Sequence, residues 1–447
     1  MCRCHARQGV ENVGQPYALA SVAMEQDQTP MTNAESQTTS SGTRLAWLVV
    51  ALLVPVALLN YLDRQMLAAM KGSMMGDIPD IATKANWGIV LGCFKWVYAG
   101  LSPVGGYVSD RVSRRHVIAA SLFVWSAVTL ATAYVTTFPQ LVFARAMMGI
   151  SEAFYIPAAL ALISDFHSSA TRSRAVGFHQ MGIYAGIIIG GFTGYVADEP
   201  SWGWRWAFGV CGLVGVAYAW PLFALLRNPP RDTQTITEQL SPVAAGRELL
   251  TNVSYLLLIL YFTLPAMAGW VVKDWMPDIL REQFGLGQGK AGLSAVLYVQ
   301  VASLIGVGIG GWLADRWMRH TSRGRIFVSA LGMSFFLPSL FGVGNAGSLG
   351  VAIGFLILFG LGWGFFDCNN MPILCQIVRP QLRATGYGIM NLVSIGCGGF
   401  ADWGFGLLRD REVPLNVIFG VFAMTALLSI LVVLLIRPTE PSSQEHS

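Results

Sequence analysis

Long apolar runs broken by short polar stretches dominate the chain after about residue 44. The runs fall near 45–69, 86–108, 116–136, 139–164, 174–197 and 206–226, then near 252–276, 290–314, 326–343, 348–376, 384–407 and 414–436. Each is close to the ~20 mainly apolar residues that a helix needs to cross a bilayer. The pattern predicts six spanning helices, a polar linker over 227–250, and six more. Residues 1–43 are rich in Ser, Thr and Gln and hold no apolar core, so they predict a disordered tail in which Met24 and Met31 are alternative starts. Residues 438–447 predict a short tail at the other end.

Composition agrees with a polytopic helical membrane protein. Hydrophobic residues make up 54% and charged residues 12%, about half the charged share of a soluble domain (~25%). The 49 glycines and 14 tryptophans fit the same class. A net charge of +4, scattered along the chain, does not suggest nucleic acid. Cys93, Cys211, Cys368, Cys375 and Cys397 lie in apolar segments, where a free thiol behaves as a small hydrophobe. Neither a phosphate-cradling glycine loop, a metal-spaced His/Cys cluster nor a nucleophile elbow stands in the sequence, so no enzyme, metal or cofactor is expected.

The basic residues set an orientation. Arg111, Arg114, Arg115, Arg316, Arg319, Arg323 and Arg325 gather in alternate loops together with the linker, which places both termini in the cytoplasm by the positive-inside rule. The halves also repeat. "GGYVSDRVSRR" (105–115) returns as "GGWLADRWMRH" (310–320), and "RAVGF" (174–178) as "RATGY" (383–387). The expected fold is therefore all-α, with 12 transmembrane helices in two pseudo-symmetric six-helix bundles, 44–226 and 251–437. Such duplication builds many transporters, with the substrate site between the halves.

The pattern at Gly106, Asp110, Arg111, Arg114 and Arg115, echoed at Gly311, Asp315 and Arg316, resembles the signature loop of the major facilitator superfamily. Ser113 stands where that family usually has glycine. The resemblance implies that these eight residues are conformational latches, and it covers nearly everything after residue 44.

Charges inside the apolar runs point to the site. "NYLDRQ" (60–65) puts Asp63 beside Arg64, while Lys95 lies in the second run and Arg145 and Glu152 in the fourth. An ionisable group in the bilayer interior costs at least ~2.5 kcal/mol on insertion scales, so it faces a cavity, pairs or acts. Seven residues, two helical turns, put Arg145 and Glu152 on one face. Three cations against two acids leave one positive charge, which suits an anionic substrate whose binding is linked to protonation of a carboxylate. Purely structural pairs, Asp63 with Arg145 and Arg64 with Glu152, are the bland reading.

The same constellation is similar to that of the anion:cation symporter branch, which carries sugar acids such as hexuronates and hexonates. By that resemblance Asp63 and Glu152 take the protons, Arg64 and Arg145 exchange between carboxylate and substrate, and Tyr61 and Tyr98 hydrogen-bond substrate hydroxyls. Ile183 replaces a polar residue usual in that branch. Spinster-type lipid transporters share the charged residues and are the rival. Polar groups in the second half, namely Tyr298, Gln300, Asp367, Asn369, Asn370 and Asn391, favour a small polar anion over an acyl chain. His179 is expected to be an ordinary packed histidine. Lys273, Asp274 and Asp278 are expected in an interfacial loop, with Trp270 and Trp275 as an aromatic belt or a substrate platform.

The expected function is proton-coupled symport of a small organic anion by alternating access, with the proton gradient as driving force. The partners would be protons, the anion and the lipid bilayer, in a monomer of a bacterial inner membrane. A transporter-like sensor without flux and a passive uniporter are the remaining alternatives.

Overall fold

The computed structural model describes residues 33–167, 169–228, 242–379 and 382–438. Its helices run in the order α1 (Asn33–Ala69), α2 (Lys71–Asp77), α3 (Lys84–Arg111), α4 (Arg114–Thr132), α5 (Phe138–Glu152), α6 (Tyr155–Phe166), α7 (Ser169–Asp198) and α8 (Gly203–Leu225). The second half follows as α9 (Pro242–Thr251), α10 (Val253–Phe284), α11 (Gln288–Met318), α12 (Gly324–Gly344), α13 (Leu349–Ile377), α14 (Arg383–Asp410) and α15 (Leu415–Leu435). The 1–43 tail, most of the linker and the C-terminal tail lie wholly or partly outside the described residues. From Ala46 onward the described helices pack as one unit.

Among the described residues, 11 helices are long and apolar enough to cross a membrane, α5 and α6 counting together as one span. The remaining long helix, α14, is 28 residues and less apolar because it carries Asn391, Ser394, Asp402 and many glycines. It packs inside, against α3 and α10. Lys273, Asp274 and Asp278 do not form an interfacial loop: α10 continues to Phe284 and buries both aspartates. Pro265 and Pro277 inside α10 do not end it, and a left-handed Gly285 does.

The break between α5 and α6 has a local cause. Pro157 lacks the N–H that would bond to the Ala153 carbonyl four residues earlier. That carbonyl meets α3, where a Cβ on Gly105 would lie 2.5 Å from it. The second half repeats the contact, with Gly310 of α11 against Phe365 of α13 (3.0 Å to Cα). Gly106 and Gly311, the glycines expected to act in the latches, have open space around their Cβ positions. The close approach in each repeat is made by the preceding glycine.

The two halves meet through α3 with α14 and α7 with α11. A Cβ on Gly88 would strike the Asp402 carbonyl at 2.7 Å, and one on Gly92 that of Gly399 at 2.8 Å. Gly191 and Gly194 meet Gly292 and Gln288 in the same manner. The glycines of 182–194 thus let helices approach as their spacing implied, since Gly182 and Gly186 also lie against α1 at Val54 and Leu58. These cross-half approaches sit in the part of each helix nearer Lys71. Toward Arg111, α3 turns to α6 of its own half.

Candidate functional site

The charged residues of the first half come together in the interior. Arg64 Nε donates to Glu152 Oε2 at 2.7 Å, and Nη2 lies 2.6 Å from the same oxygen. Glu152 is fully buried and its Oε1 has no hydrogen-bond partner. The guanidinium is boxed by rings, with Tyr61 at 4.8 Å, Phe94 at 4.6 Å and Tyr98 at 5.0 Å. Arg145 lies over the same Phe94 ring at 4.6 Å, and its Nη1 reaches Met148 Sδ at 2.9 Å. No carboxylate of a described residue pairs with it. Asp63 takes a hydrogen bond from Thr129 Oγ1 at 2.9 Å and leaves Oδ1 buried and unpartnered. The suggested Asp63–Arg145 pair is thus absent, because Thr129 of α4 holds the acid instead.

Lys95 does something different from binding a ligand alone. Its Nζ contacts Asp274 of α10 and Asp402 of α14, and lies over the Trp270 ring at 4.5 Å. All three charged groups are buried. Asp402 was invisible as a site residue in the sequence, although an acid in the glycine-rich apolar stretch "GGFADWGFG" was its signal.

The second half lines a solvent-reached space. Asp367 is exposed although mid-helix, and it lies within electrostatic reach of Tyr61 and Tyr184 from one half and of Lys273 and Tyr387 from the other. Exposure with neighbours from both halves means an internal cavity. Lys273 Nζ lies 4.8 Å from the Tyr61 ring and 5.2 Å from that of Trp270, with no carboxylate at ion-pairing distance among the described residues. Asn391 lies one helical turn from Tyr387 on α14, and Tyr387 is within electrostatic reach of Asp367. Trp270 is therefore a cation platform for Lys95 and Lys273, while Trp275 is fully buried against Phe405 with the Lys71 ammonium 5.3 Å from its ring.

Other expected residues divide. Asn369 is buried and donates to its own helix at Phe365 O (3.0 Å), while the buried Asn370 amide is unpartnered. Gln300 is half-buried. Tyr298 does not join the site: it falls on the exposed apolar stripe of α11 with Val301, Ile305 and Trp312, on the side away from the face packed on α13. His179 is packed, its Nε2 2.9 Å from the Tyr155 hydroxyl.

At the Arg111 end, Arg114 pairs with Asp165 at the end of α6, and Arg111 lies over Tyr107 at 3.6 Å. The Arg115 amide donates to Asn228 at 3.1 Å. Asp315 approaches Arg325 at 4.0 Å, and Arg316 lies 5.9 Å over Trp312. The Asp110 side chain lies outside the described ones.

The Lys71 end is tied across the halves. Lys71 pairs with Asp278 at 2.5 Å and Lys84 with Glu282. Burial pushes the Lys71 ammonium down from its ordinary pKa, against the pull of Asp278. Asp410, ending α14, takes the Lys84 and Ala85 amides at 2.9 and 2.7 Å and so caps α3. Asp198, ending α7, takes the Gln288 and Gly289 amides at 3.0 and 2.8 Å and caps α11. The halves cap one another reciprocally, with the cavity closed at this end.

Residues 53–401 match the Major Facilitator Superfamily. Human protein spinster homolog 1 is 28% identical over 394 residues, covering 81% of this chain and 73% of that protein. A D-galactonate transporter of Escherichia coli is 27% identical over 300 residues, 62% of this chain and 68% of that one. Among solved structures, a bacterial homolog of the human lysosomal transporter spinster, inward-facing and unoccupied, superposes with a TM-score of 0.71 at 18% identity, covering 88% of this chain and 95% of that chain.

Proposed function

Because the chain belongs to the Major Facilitator Superfamily, we propose that it couples proton binding at Asp63 and Glu152 to alternating-access symport of a small organic anion, a sugar acid such as a hexuronate or hexonate. The observation that carries this reading is the Arg64–Glu152 pair, buried among aromatic rings beside a cavity. An entering carboxylate draws the guanidinium away from Glu152. A buried carboxylate stripped of its cation is strongly disfavoured, and taking up a proton relieves it. Substrate and proton then bind as a linked pair. The unpartnered oxygens on Asp63 and Glu152 fit the same role: Asp63 is buried without an ion pair, and Glu152 becomes so once Arg64 turns to the substrate.

Tyr61, Tyr98, Tyr387 and Asn391 supply hydrogen-bonding groups from both halves, as a polyhydroxylated anion requires and an acyl chain does not. With the positive-inside orientation, both termini lie in the cytoplasm, the Lys71 end faces out, and the cavity opens inward in the membrane of a bacterial cell. The protein works as a monomer. A second reading, proton-coupled transport of a lysolipid, is favoured by the spinster relatives, whose similarity covers more of this chain than that of the D-galactonate transporter.

Purified protein in liposomes loaded with a pH-sensitive dye separates the two. A hexuronate or hexonate added outside should acidify the lumen, and Glu152→Gln should abolish the signal. Protein that is folded yet moves no proton with any sugar acid, but does so with a lysolipid, would establish the second reading. Binding without flux would mark a sensor.

A further inference from the structure

We propose that Lys95, Asp274 and Asp402 form a second proton-binding site, distinct from Asp63 and Glu152, which is loaded when the Lys71 end closes. It rests on alternation between two ends and not on the identity of the substrate.

The geometry is a lysine of one half inserted between two acids of the other. One ammonium offsets one carboxylate, so the triad holds one negative charge too many. Asp402 is wholly buried, and its Oδ1 has no hydrogen-bond partner. An ionised carboxylate left in that state is far costlier to bury than its protonated form. A proton on one of the two acids brings the triad to neutrality.

The surrounding charges do not supply the missing cation. On α3, Lys84 lies further out, paired with Glu282. On α10, Lys273 shares the Trp270 ring with Lys95 and lies within electrostatic reach of Asp274, but it is at ion-pairing distance of neither acid and touches the Tyr61 ring at the cavity, while Asp278 is taken by Lys71. On α14, Asp410 is spent on the α3 cap. Arg64 of α1 is held by Glu152. Arg145 of α5 lies over Phe94, within electrostatic reach of Asp274 but nearer in influence to Glu152. Asp367 of α13 adds a further acid, α15 carries no ionisable residue, and Arg247 and Glu248 of α9 belong to the opposite end of α14. Counting the whole interior array gives Arg64, Lys95, Arg145 and Lys273 against Asp63, Glu152, Asp274, Asp367 and Asp402, four cations and five acids. The array carries an excess acid before any substrate anion arrives.

Opening the Lys71 end must part α3 from α10 and α14, which separates Lys95 from both acids and exposes them to water. The proton leaves at that step and must return for closure. Proton binding here therefore favours the closed Lys71 end and ties the conformational cycle to the solution on that side.

The test uses full-length protein in lipid nanodiscs, with spin labels on Ser201→Cys and Gly347→Cys in a background whose native cysteines are serine. These positions are exposed at the Lys71 end, one on each half. Raising the pH should shift the distance distribution from short to long. Asp402→Asn, with Asp274→Asn as the second variant, should hold the short distance at every pH. Three results would each overturn the proposal: a wild-type distance indifferent to pH, a response driven by sodium instead of pH, or an Asp402→Asn protein that is open throughout. The last would mean that Asp402 is merely half of a structural ion pair.

Discussion

Glu152 and Asp367 occupy the same place in the two halves. Each stands five residues before a proline, Pro157 and Pro372, on a helix against which the preceding glycine of a doubled Gly-Gly packs. Their surroundings are opposite. Glu152 is sealed and held by Arg64, whereas Asp367 is exposed to the cavity and has no ion-pair partner among the described residues. The neighbouring pairs also invert: α1 has acid then base at Asp63–Arg64, and α10 has base then acid at Lys273–Asp274. A duplicated scaffold has thus been given two electrostatic tasks. The first half stores a cation against a buried acid, and the second presents free charges to whatever enters.

The largest effect should come from exchanging those tasks. Glu152→Gln should lower proton-driven accumulation by on the order of tenfold or more, at least one pKa unit of linkage, measured as dye acidification in liposomes. Asp367→Asn should keep acidification and alter apparent substrate affinity by about fivefold, the worth of one hydrogen bond near 1 kcal/mol. If Asp367→Asn uncouples and Glu152→Gln does not, the assignment of roles to the halves is reversed.

How much of this the sequence carried depends on the kind of signal. The spanning helices were legible because each is a long apolar run, and the repeat because its motif residues recur. Arg64 and Glu152 were legible because charge is so rare there. Asp402 and the Lys273–Asp274 pair were not, since α10 runs on past its apolar stretch and the partner of each charge lies on a helix hundreds of residues away. Tyr298 misled for a related reason. Its residue type suits a binding site, but its helical phase faces outward, and phase is fixed only by packing against α13. The glycine pairs show the same limit: the motif names Gly106 and Gly311, while the backbone approach falls on Gly105 and Gly310.

That last difference is open to a stability measurement. Gly105→Val and Gly310→Val put side chains into Ala153 and Phe365 backbone at 2.5 and 3.0 Å, and overpacking of this sort costs about 1–3 kcal/mol. Gly106→Val and Gly311→Val point into open space and should stay within ~0.5 kcal/mol. Thermal unfolding followed by intrinsic fluorescence in detergent should show lower midpoints for the first pair alone. Equal losses at all four positions would mean that the signature glycines pack in a state other than this one.

The smallest effects should lie at the reciprocal caps. Removing a capping acid costs ~1 kcal/mol, which here falls only on the closed Lys71 end, because parting the halves breaks the cap anyway. Asp410→Ala should therefore leave unfolding nearly unchanged and lower the closed population about fivefold. Asp198 also accepts from the Gln288 side chain at 3.1 Å, so Asp198→Ala should shift the balance further. The caps lie on different helix pairs, α14 on α3 and α7 on α11, and independent sites add. The double variant should show the sum of the two shifts in spin-label distances across the Lys71 end. A double variant no more open than either single would mean that one cap alone sets the gate and that the two halves, alike in sequence there, are unlike in load.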